Sequence, residues 1–545
     1  KICWHIYHTI FVRCCLKPYD SLGVQTPRHL KKGCNMQLFK RIRDIITSRL
    51  FVTSFLILLQ IIALILPFLY LGMRSVYIHA VVGFISTVIS LSIANDEKHA
   101  PFHTIWIVVL LAAPIAGWPL YVILRHNKQA GQASRRCATV SEHLDKIPFG
   151  GFQPDSLYAC KHHPFHREML HLARSCNAPV FTSTITRYFP NGESFFPVYL
   201  EKLRTAKKFI FMEYFIINDG YLWQEVKKIL TEKCRQGVEV RILYDDIATI
   251  SKLTRSFRRE LRNMGVQVYP FNPYRAAVDS FMNYRDHRKI TVIDGVIGFT
   301  GGINLADEYI NKIERFGYWK DAGLMLEGSA VQALTHTFLK SWGFVVKEDP
   351  MPQKYLIDKP QNADSLVQPF CDSPAGKVRA GRDTYSSLIN GAQRYVWITA
   401  PYLILENEML NALCLAATSG VDVRIITPHI ADKWYVHAVT RSNYRALIKA
   451  GVKVYEYKPG FVHAKLIVAD DAAAMVATTN FDYRSFYALF ENGVMVYGRD
   501  VIAQIKSDLT ETMQQSMPYT MEMCQHTSRF RRSMRKLLRI FSPFL

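Results

Sequence analysis

The chain is written twice. Ala206-Lys-Lys-Phe-Ile-Phe-Met is matched by Ala392-Gln-Arg-Tyr-Val-Trp-Ile, Gly237-Val-Glu-Val-Arg-Ile by Gly420-Val-Asp-Val-Arg-Ile, and Gly265-Val-Gln-Val-Tyr by Gly451-Val-Lys-Val-Tyr. The offsets are 186, 183 and 186 residues, so the copies differ by small insertions. A duplication on this scale restricts the chain to folds in which one unit occurs twice. Within the first copy, apolar runs of strand length alternate with segments of helical period. Phe209–Ile217, Gly237–Tyr244, Val266–Phe271, His287–Asp294 and Val296–Thr300 read as strands, and Leu222–Gln236 and Ser251–Gly265 as helices. This alternation predicts an α/β sheet covered by helices.

Both copies carry the same polar signature inside an apolar strand. The first reads His287-Arg288-Lys289-x4-Asp294, followed by Gly301-Gly302-Ile303-Asn304. The second reads His463-Ala464-Lys465-x4-Asp470, followed by Ala477-Thr478-Thr479-Asn480. Side chains alternate faces along a strand, so each His shares a face with its Lys, while the Asp has the opposite parity. Asp294 and Asp470 complete the motif of the catalytic set but are expected to brace strand ends. A single histidine on a strand is usually a satisfied core residue. A lysine beside it on an apolar strand needs an anion.

Brought together, the copies supply two His, two Lys and two Asn, a set suited to a phosphodiester. The lysines with Asn304 and Asn480 can bind non-bridging oxygens and the charge developing there. One imidazole can attack phosphorus. The other can protonate the leaving oxygen and then deprotonate the incoming alcohol. No metal or other cofactor is expected, because the lysines stand where cations would otherwise be needed.

The 545 residues have a formal net charge of +22, which implies an anionic partner. Three apolar runs decide between nucleic acid and membrane. Leu50–Gly72 is long enough to span a bilayer, Val76–Ala94 is similar, and Thr104–Leu124 is strongly apolar, with Pro114 and Pro119 in it and with Trp106, Trp118 and Tyr121 suited to the interfaces. The expected partners are therefore anionic membrane lipids and not nucleic acid. Lys40, Arg41, Arg43 and Arg49 precede the first run, and Arg125, Lys128, Arg135 and Arg136 follow the third. Both clusters favour the cytoplasm, which leaves two or three spans open and places the chain beyond residue 125 on the cytoplasmic side. Eleven scattered cysteines without a metal-binding spacing read as free thiols.

The expected organisation is then 36–128 as membrane region, 129–180 as connector, 181–349 as first half, 350–376 as a proline-rich linker, 377–519 as second half and 520–545 as a basic amphipathic tail. Residues 1–35 show no clear period, and Met36 opens a basic lead into the first apolar run like a natural start. The segment is expected to be an upstream extension, against the competing reading of an amphipathic N-terminal element.

The paired His-x-Lys-x4-Asp motifs, each followed by a small-residue turn and Asn, resemble the phospholipase D superfamily over about residues 195–520. The stretches NYRDHRKITVIDG, GGINLADEY, FGYWKDAGLMLEG, GFVHAKLIVADD and NFDYRSFYALFEN resemble bacterial cardiolipin synthases in particular. So do PIAGWPLY at 114–121 and the closing SPFL. The resemblance implies two α/β sandwich halves about one shared site, preceded by transmembrane helices in a bacterial inner membrane. It implies transfer of a phosphatidyl group from one phosphatidylglycerol through a phosphohistidine to a second, with hydrolysis or another acceptor alcohol as the alternative. It also implies His287 as nucleophile and His463 as acid/base, with the exchanged assignment open. Glu491, eleven residues after Asn480, matches the superfamily's histidine-orienting acid, and Asp321 is its counterpart candidate. Thr478 keeps a hydroxyl where the family has Gly-Ser or Gly-Thr. Glu213 and Tyr402, near corresponding strand ends, are candidates for lining the site.

Overall fold

The computed structural model describes residues 76–545 apart from 96–99, 126–127, 149, 153–156, 158–159, 275–282 and 364–365, together with isolated positions between 55 and 70. The expectations for residues 1–35, and nearly all of the first apolar run, lie outside the described residues.

The second apolar run forms helix α1, Val76–Ala94. The third is divided at Ala113-Pro114 into α2, Ala100–Ala112, and α3, Pro114–Arg125, with Pro114 as the first residue of the new helix, where its missing N–H costs no intrahelical bond. Among the described residues no helix is long and apolar enough to cross a membrane. The three helices pack through Ile93, Leu110 and Tyr121 and leave Tyr77, Val81, Phe84, Leu91 and Leu111 exposed. The connector contains two helices, α4 (Lys128–Asp145) and α5 (His166–Cys176).

The first half supplies β1 (Thr184–Phe189), α6 (Gly192–Arg204), β2 (Phe209–Tyr214), α7 (Tyr221–Arg235), β3 (Glu239–Asp245) and β4 (Gln267–Phe271). It continues with β5 (Arg285–Asp286), β6 (Lys289–Ile293), β7 (Ile297–Gly301), β8 (Tyr318–Lys320), β9 (Gly323–Gly328) and α8 (Val331–Val346). The second half supplies β10 (Val367–Asp372), α9 (Ala380–Gly391), β11 (Tyr395–Thr399), α10 (Asn407–Thr418), β12 (Asp422–Pro428), α11 (Trp434–Lys449) and β13 (Lys453–Tyr457). It closes with β14 (Gly460–Val462), β15 (Leu466–Ala469), β16 (Ala473–Ala477), β17 (Leu489–Val496), α12 (Arg499–Gln514), β18 (Ser516–Tyr519) and α13 (Arg529–Ile540).

The strand orders repeat the sequence duplication. One sheet runs β1-β9-β7-β6-β2-β3-β4, and the other runs β10-β17-β16-β15-β11-β12-β13 with β18 added at its end. The expected linker 350–376 thus includes β10, which pairs antiparallel with β17 along its whole length. Helices α6 and α7 cover the outer face of the first sheet, and α5, α9 and α11 that of the second. Between the sheets, α8 and α12 join inward side chains from both, such as Phe211, Leu326, Trp397 and Val476, in one core. Both halves therefore fold around shared apolar surface, which is the largest favourable contribution to folding.

The two motif aspartates act in the same way in each half. Asp294 accepts the backbone N–H groups of Lys207, Lys208 and Phe209 at 2.8, 2.7 and 2.8 Å. Asp470 accepts those of Gln393, Arg394 and Tyr395 at 2.6, 2.9 and 2.8 Å. Both have left-handed backbone, with φ of 54° and 55°, a conformation that Asp tolerates better than most residues. They hold the N–H groups that lead into the central strands β2 and β11 and touch none of the site's His or Lys side chains. Their placement in the catalytic set is corrected accordingly. Asp294→Ala removes a charged acceptor from three donors and is expected to cost about 3 kcal/mol. A melting midpoint lowered by several degrees is the expected result.

Candidate active site

Each histidine lies just outside a sheet, in a short link that crosses to the other half. Strand β5 of the first half pairs parallel with β17 of the second, Asp286 opposite Phe490, and His287 donates its N–H to Phe490 O at 2.9 Å. Strand β14 of the second half pairs parallel with β8 of the first, Val462 opposite Lys320, and His463 donates its N–H to Lys320 O at 2.6 Å. The residue after each acceptor carbonyl is an acid: Glu491 follows Phe490, and Asp321 follows Lys320. Each half therefore supplies a histidine and the carboxylate for the other half's histidine.

The side chains complete this exchange. His287 Nδ1 lies 3.0 Å from both oxygens of Glu491, and His463 Nδ1 lies 2.6 Å from Asp321 Oδ2. A carboxylate at that distance fixes Nδ1 as the protonated nitrogen and leaves the Nε2 lone pair free on each ring. Lys465 Nζ is also 2.9 Å from His463 Nδ1, but it donates to the carbonyl of His463, as Lys289 does to that of His287. All four His and Lys side chains are buried.

Burial sets the charge states. Desolvation lowers His287 to about 4, with Lys289 adding to the effect and Glu491 opposing it. It lowers His463 to about 3, aided by Lys465 and opposed by Asp321. Both imidazoles are neutral at pH 7 in the free protein. Desolvation also brings Lys289 down to about 7 and Lys465 to about 8, against the pull of Glu491 and Asp321 respectively. Burial works against ionisation of the two acids, yet the neighbouring His and Lys outweigh it, so both carboxyls stay below their usual range.

The other expected residues divide. Thr478 does not face a substrate; its hydroxyl bonds the Glu491 carboxylate and accepts Asn492 N–H at 2.9 Å, steadying the acid. At the matching position, a Cβ on Gly302 would overlap Asp321, so glycine is what lets the shorter acid sit against the turn. Asn304 is held by Ile216 N–H at 2.9 Å and donates to Tyr309 Oη at 2.7 Å. Asn480 is buried, and its side-chain oxygen has no protein partner. Glu213 pairs opposite Ile290 on β6, on the face away from Lys289, where it accepts from Ser341 Oγ at 2.6 Å. It supports the shell behind the site and does not line it. Tyr402 donates to Asp432 at 2.5 Å on the second half's rim.

Three further groups escaped sequence reasoning. Arg288 is buried between the halves and donates to Glu491 O at 3.1 Å, Asp372 O at 2.8 Å and Ser341 Oγ at 2.8 Å. Behind Asp321, Lys320 and the Tyr188 hydroxyl meet Asp508 at 2.5 and 2.6 Å. Aromatic rings wall the histidines: Phe215 lies edge-on to His287 at 4.8 Å, while Tyr309, Trp319 and Phe461 surround His463 at 5.6, 5.1 and 5.9 Å. These rings are part of the burial that desolvates both imidazoles. The signal for Arg288 was its place between the motif His and Lys, where the second copy has Ala464.

The family described as "Cardiolipin synthase, PLD-like domain" matches residues 199–342 and 385–513, one segment in each half. The chain is 36% identical over 483 residues to the cardiolipin synthase of Geobacillus sp. (strain WCH70), covering 87% of this chain and 94% of that one. It is 41% identical over 460 residues to an uncharacterized protein of Streptococcus mutans serotype c, covering 84% and 99%. Among solved structures, phosphatidylserine synthase of Haemophilus influenzae superposes with a TM-score of 0.51 over 75% of this chain and 97% of that one. At 14% identity that likeness speaks for the fold alone. With the family matched in both halves and its named relatives aligned along nearly their whole length, the chain belongs to the cardiolipin synthase family of phospholipase D-type phosphatidyltransferases.

Proposed function

We propose that the protein makes cardiolipin by moving a phosphatidyl group from one phosphatidylglycerol to another through a phosphohistidine. The crossed histidine–carboxylate pairs carry the reading: two neutral imidazoles, each oriented by the other half's acid, beside two buried lysines. A bound phosphodiester anion is attracted by both ammonium groups and favours the charged form of every base around it, so it draws a proton onto one imidazole. With His287 as the nucleophile, its Nε2 attacks phosphorus, and the P–O bond to glycerol breaks as His463 gives its proton to the leaving oxygen. Glu491 balances the positive charge that the phosphorylated ring of His287 carries. The hydroxyl of a second phosphatidylglycerol then gives its proton to His463 and attacks phosphorus. The P–N bond breaks, and cardiolipin and glycerol are the products. Lys289, Lys465 and the Asn480 amide hold the non-bridging oxygens throughout. A bacterial membrane location, with the two halves on its cytoplasmic side, accords with the lipid substrates, the basic balance and the exposed apolar faces of α1 and α2.

Supplying phosphatidylglycerol to membranes that carry the chain is expected to yield cardiolipin and glycerol in equal amounts. Phosphatidic acid as the sole phospholipid product would replace the transferase by a hydrolase.

The lysines set a pH limit. Their charged forms are lost as pH rises through about 7 and 8, well below an ordinary lysine. The kcat/KM for phosphatidylglycerol, which reports the free enzyme, is therefore expected to fall as pH rises through this range, about tenfold per unit between about pH 7 and 8 and up to about a hundredfold per unit above it, where both lysines lose their protons. Lys465→Arg keeps its charge to much higher pH, so the variant's alkaline limb keeps its onset, set by Lys289, but falls less steeply above pH 8, even where its maximum rate is reduced. An equally steep limb in that variant would assign its second step to another group.

A further inference from the structure

We infer that the segment Arg529–Leu545, with the exposed end of α11, docks the mouth of the second half onto an anionic lipid bilayer, an assignment that rests on the phosphatidyl-transfer reading only for which lipid is delivered. Helix α13 carries Arg529, Arg531, Arg532, Arg535, Lys536 and Arg539 and no acidic residue. Its inner side is anchored: Leu538 and, beyond it, Leu545 join Ile404, Val436, Val439 and Tyr483 in one apolar cluster. Its outer side mixes charge with exposed apolar surface. Phe530 is 78% exposed, Leu537 59%, and Trp434 at the start of α11 63%. A solvated structural helix has no use for a Phe and a Leu two turns apart among arginines. A basic helix with an apolar stripe and a neighbouring tryptophan matches the headgroup boundary of an anionic membrane.

Two neighbours give the surface its direction. Phe544 stacks edge-on against Phe102 of α2 at 5.5 Å, so the segment continues the exposed apolar faces of the first helices. On the other side the same cluster reaches Tyr402, whose ring lies 6.3 Å from Phe461, which lies 5.9 Å from His463. The helix therefore stands between an apolar, membrane-like face and the wall of the active site. A bilayer surface accounts for both the charge and the exposed rings, whereas an acidic protein or a nucleic acid accounts for the charge alone.

The test uses the full chain in nanodiscs of phosphatidylcholine alone, or with about one-third phosphatidylserine or phosphatidylglycerol. Amide exchange across residues 529–545 is expected to slow about tenfold with either anionic lipid and to recover at about 0.5 M salt. Phosphatidylserine separates surface docking from occupation of the active site by phosphatidylglycerol. The variant Arg529→Gln/Arg531→Gln/Lys536→Gln is expected to lose that protection. It should also show a severalfold higher apparent KM for phosphatidylglycerol in bilayers, with turnover of dispersed short-chain phosphatidylglycerol unchanged. Phe530→Ser/Leu537→Ser tests the apolar stripe in the same way. Equal exchange in all three membranes, or variants indistinguishable from the parent, overturns the docking surface. Anionic-lipid protection in a chain that makes no cardiolipin keeps the surface and removes the transfer reading.

Discussion

His463→Ala is expected to abolish cardiolipin formation, with a loss of about four orders of magnitude or more, and His287→Ala to do the same. The two losses have different causes, and a leaving group that needs no proton separates them. With a p-nitrophenyl phosphatidyl ester, the enzyme lacking its acid/base still expels nitrophenolate and stalls with lipid on the remaining histidine. The enzyme lacking its nucleophile does nothing. With His287 as nucleophile, His463→Ala is expected to carry a phosphatidyl adduct on His287, seen as a mass shift on the peptide spanning Arg285 to Lys289, and His287→Ala to carry no adduct on His463. The opposite pattern would exchange the roles. Full activity in either variant would sink the shared site. The losses should not combine: the double variant is expected to be no worse than the poorer single one, because residues that act as a unit fail together. Since each ring is held by an acid from the other half, neither half alone is expected to transfer phosphatidyl groups.

Much of this site could be read before any coordinates, because its parts are local in sequence. A period-2 apolar run with His and Lys two apart is a short-range pattern, and its repetition after 176 residues shows that two copies face one task. The matching strand orders of the two sheets reflect the same duplication. What escaped was set by contacts distant in sequence. Taking His287 and Lys289 as neighbours within one strand missed that the chain changes partner between them, leaving β17 to enter β6. No property of Arg288 in the sequence says that it will reach Asp372 and Glu491, 84 and 203 positions away. Residues 350–376 looked like a linker because proline is common there. Gln368 and Phe370 nonetheless belong to an edge strand around Pro369, where a missing N–H is tolerated. The third apolar run looked continuous in hydropathy, yet Pro114 starts a new helix within it. Glu213 illustrates the opposite error. Its place near a strand end made it a candidate for lining the site, but strand parity turns it to the other face, toward Arg288 and Ser341.

Glu491→Gln is expected to lower kcat by about a hundredfold to ten-thousandfold while the protein stays folded. The change is small in volume and keeps a hydrogen-bond acceptor near His287 Nδ1, but it removes the charge. The ring loses its preference for the Nδ1–H tautomer, because an amide can present either N–H or C=O to it, and a flipped amide would leave Nε2 protonated and unable to attack. The phosphorylated imidazole, cationic once formed, loses the buried anion 3.0 Å away. Thr478, whose hydroxyl now donates to the carboxylate, keeps Asn492 as partner, so the turn around it survives. Asp321→Asn acts on His463 at 2.6 Å and is expected to slow both proton transfers, so leaving-group reactivity distinguishes the two variants. A nitrophenyl ester should rescue adduct formation in Asp321→Asn and leave Glu491→Gln slow. The pH profiles should part as well. The negative carboxylate opposes the desolvation that drives His287 down to about 4, so its loss lowers that value further and leaves the acid limb out of range. A Glu491→Gln enzyme with parental kcat would show that the crossed carboxylates are structural ties between the halves and not part of the chemistry.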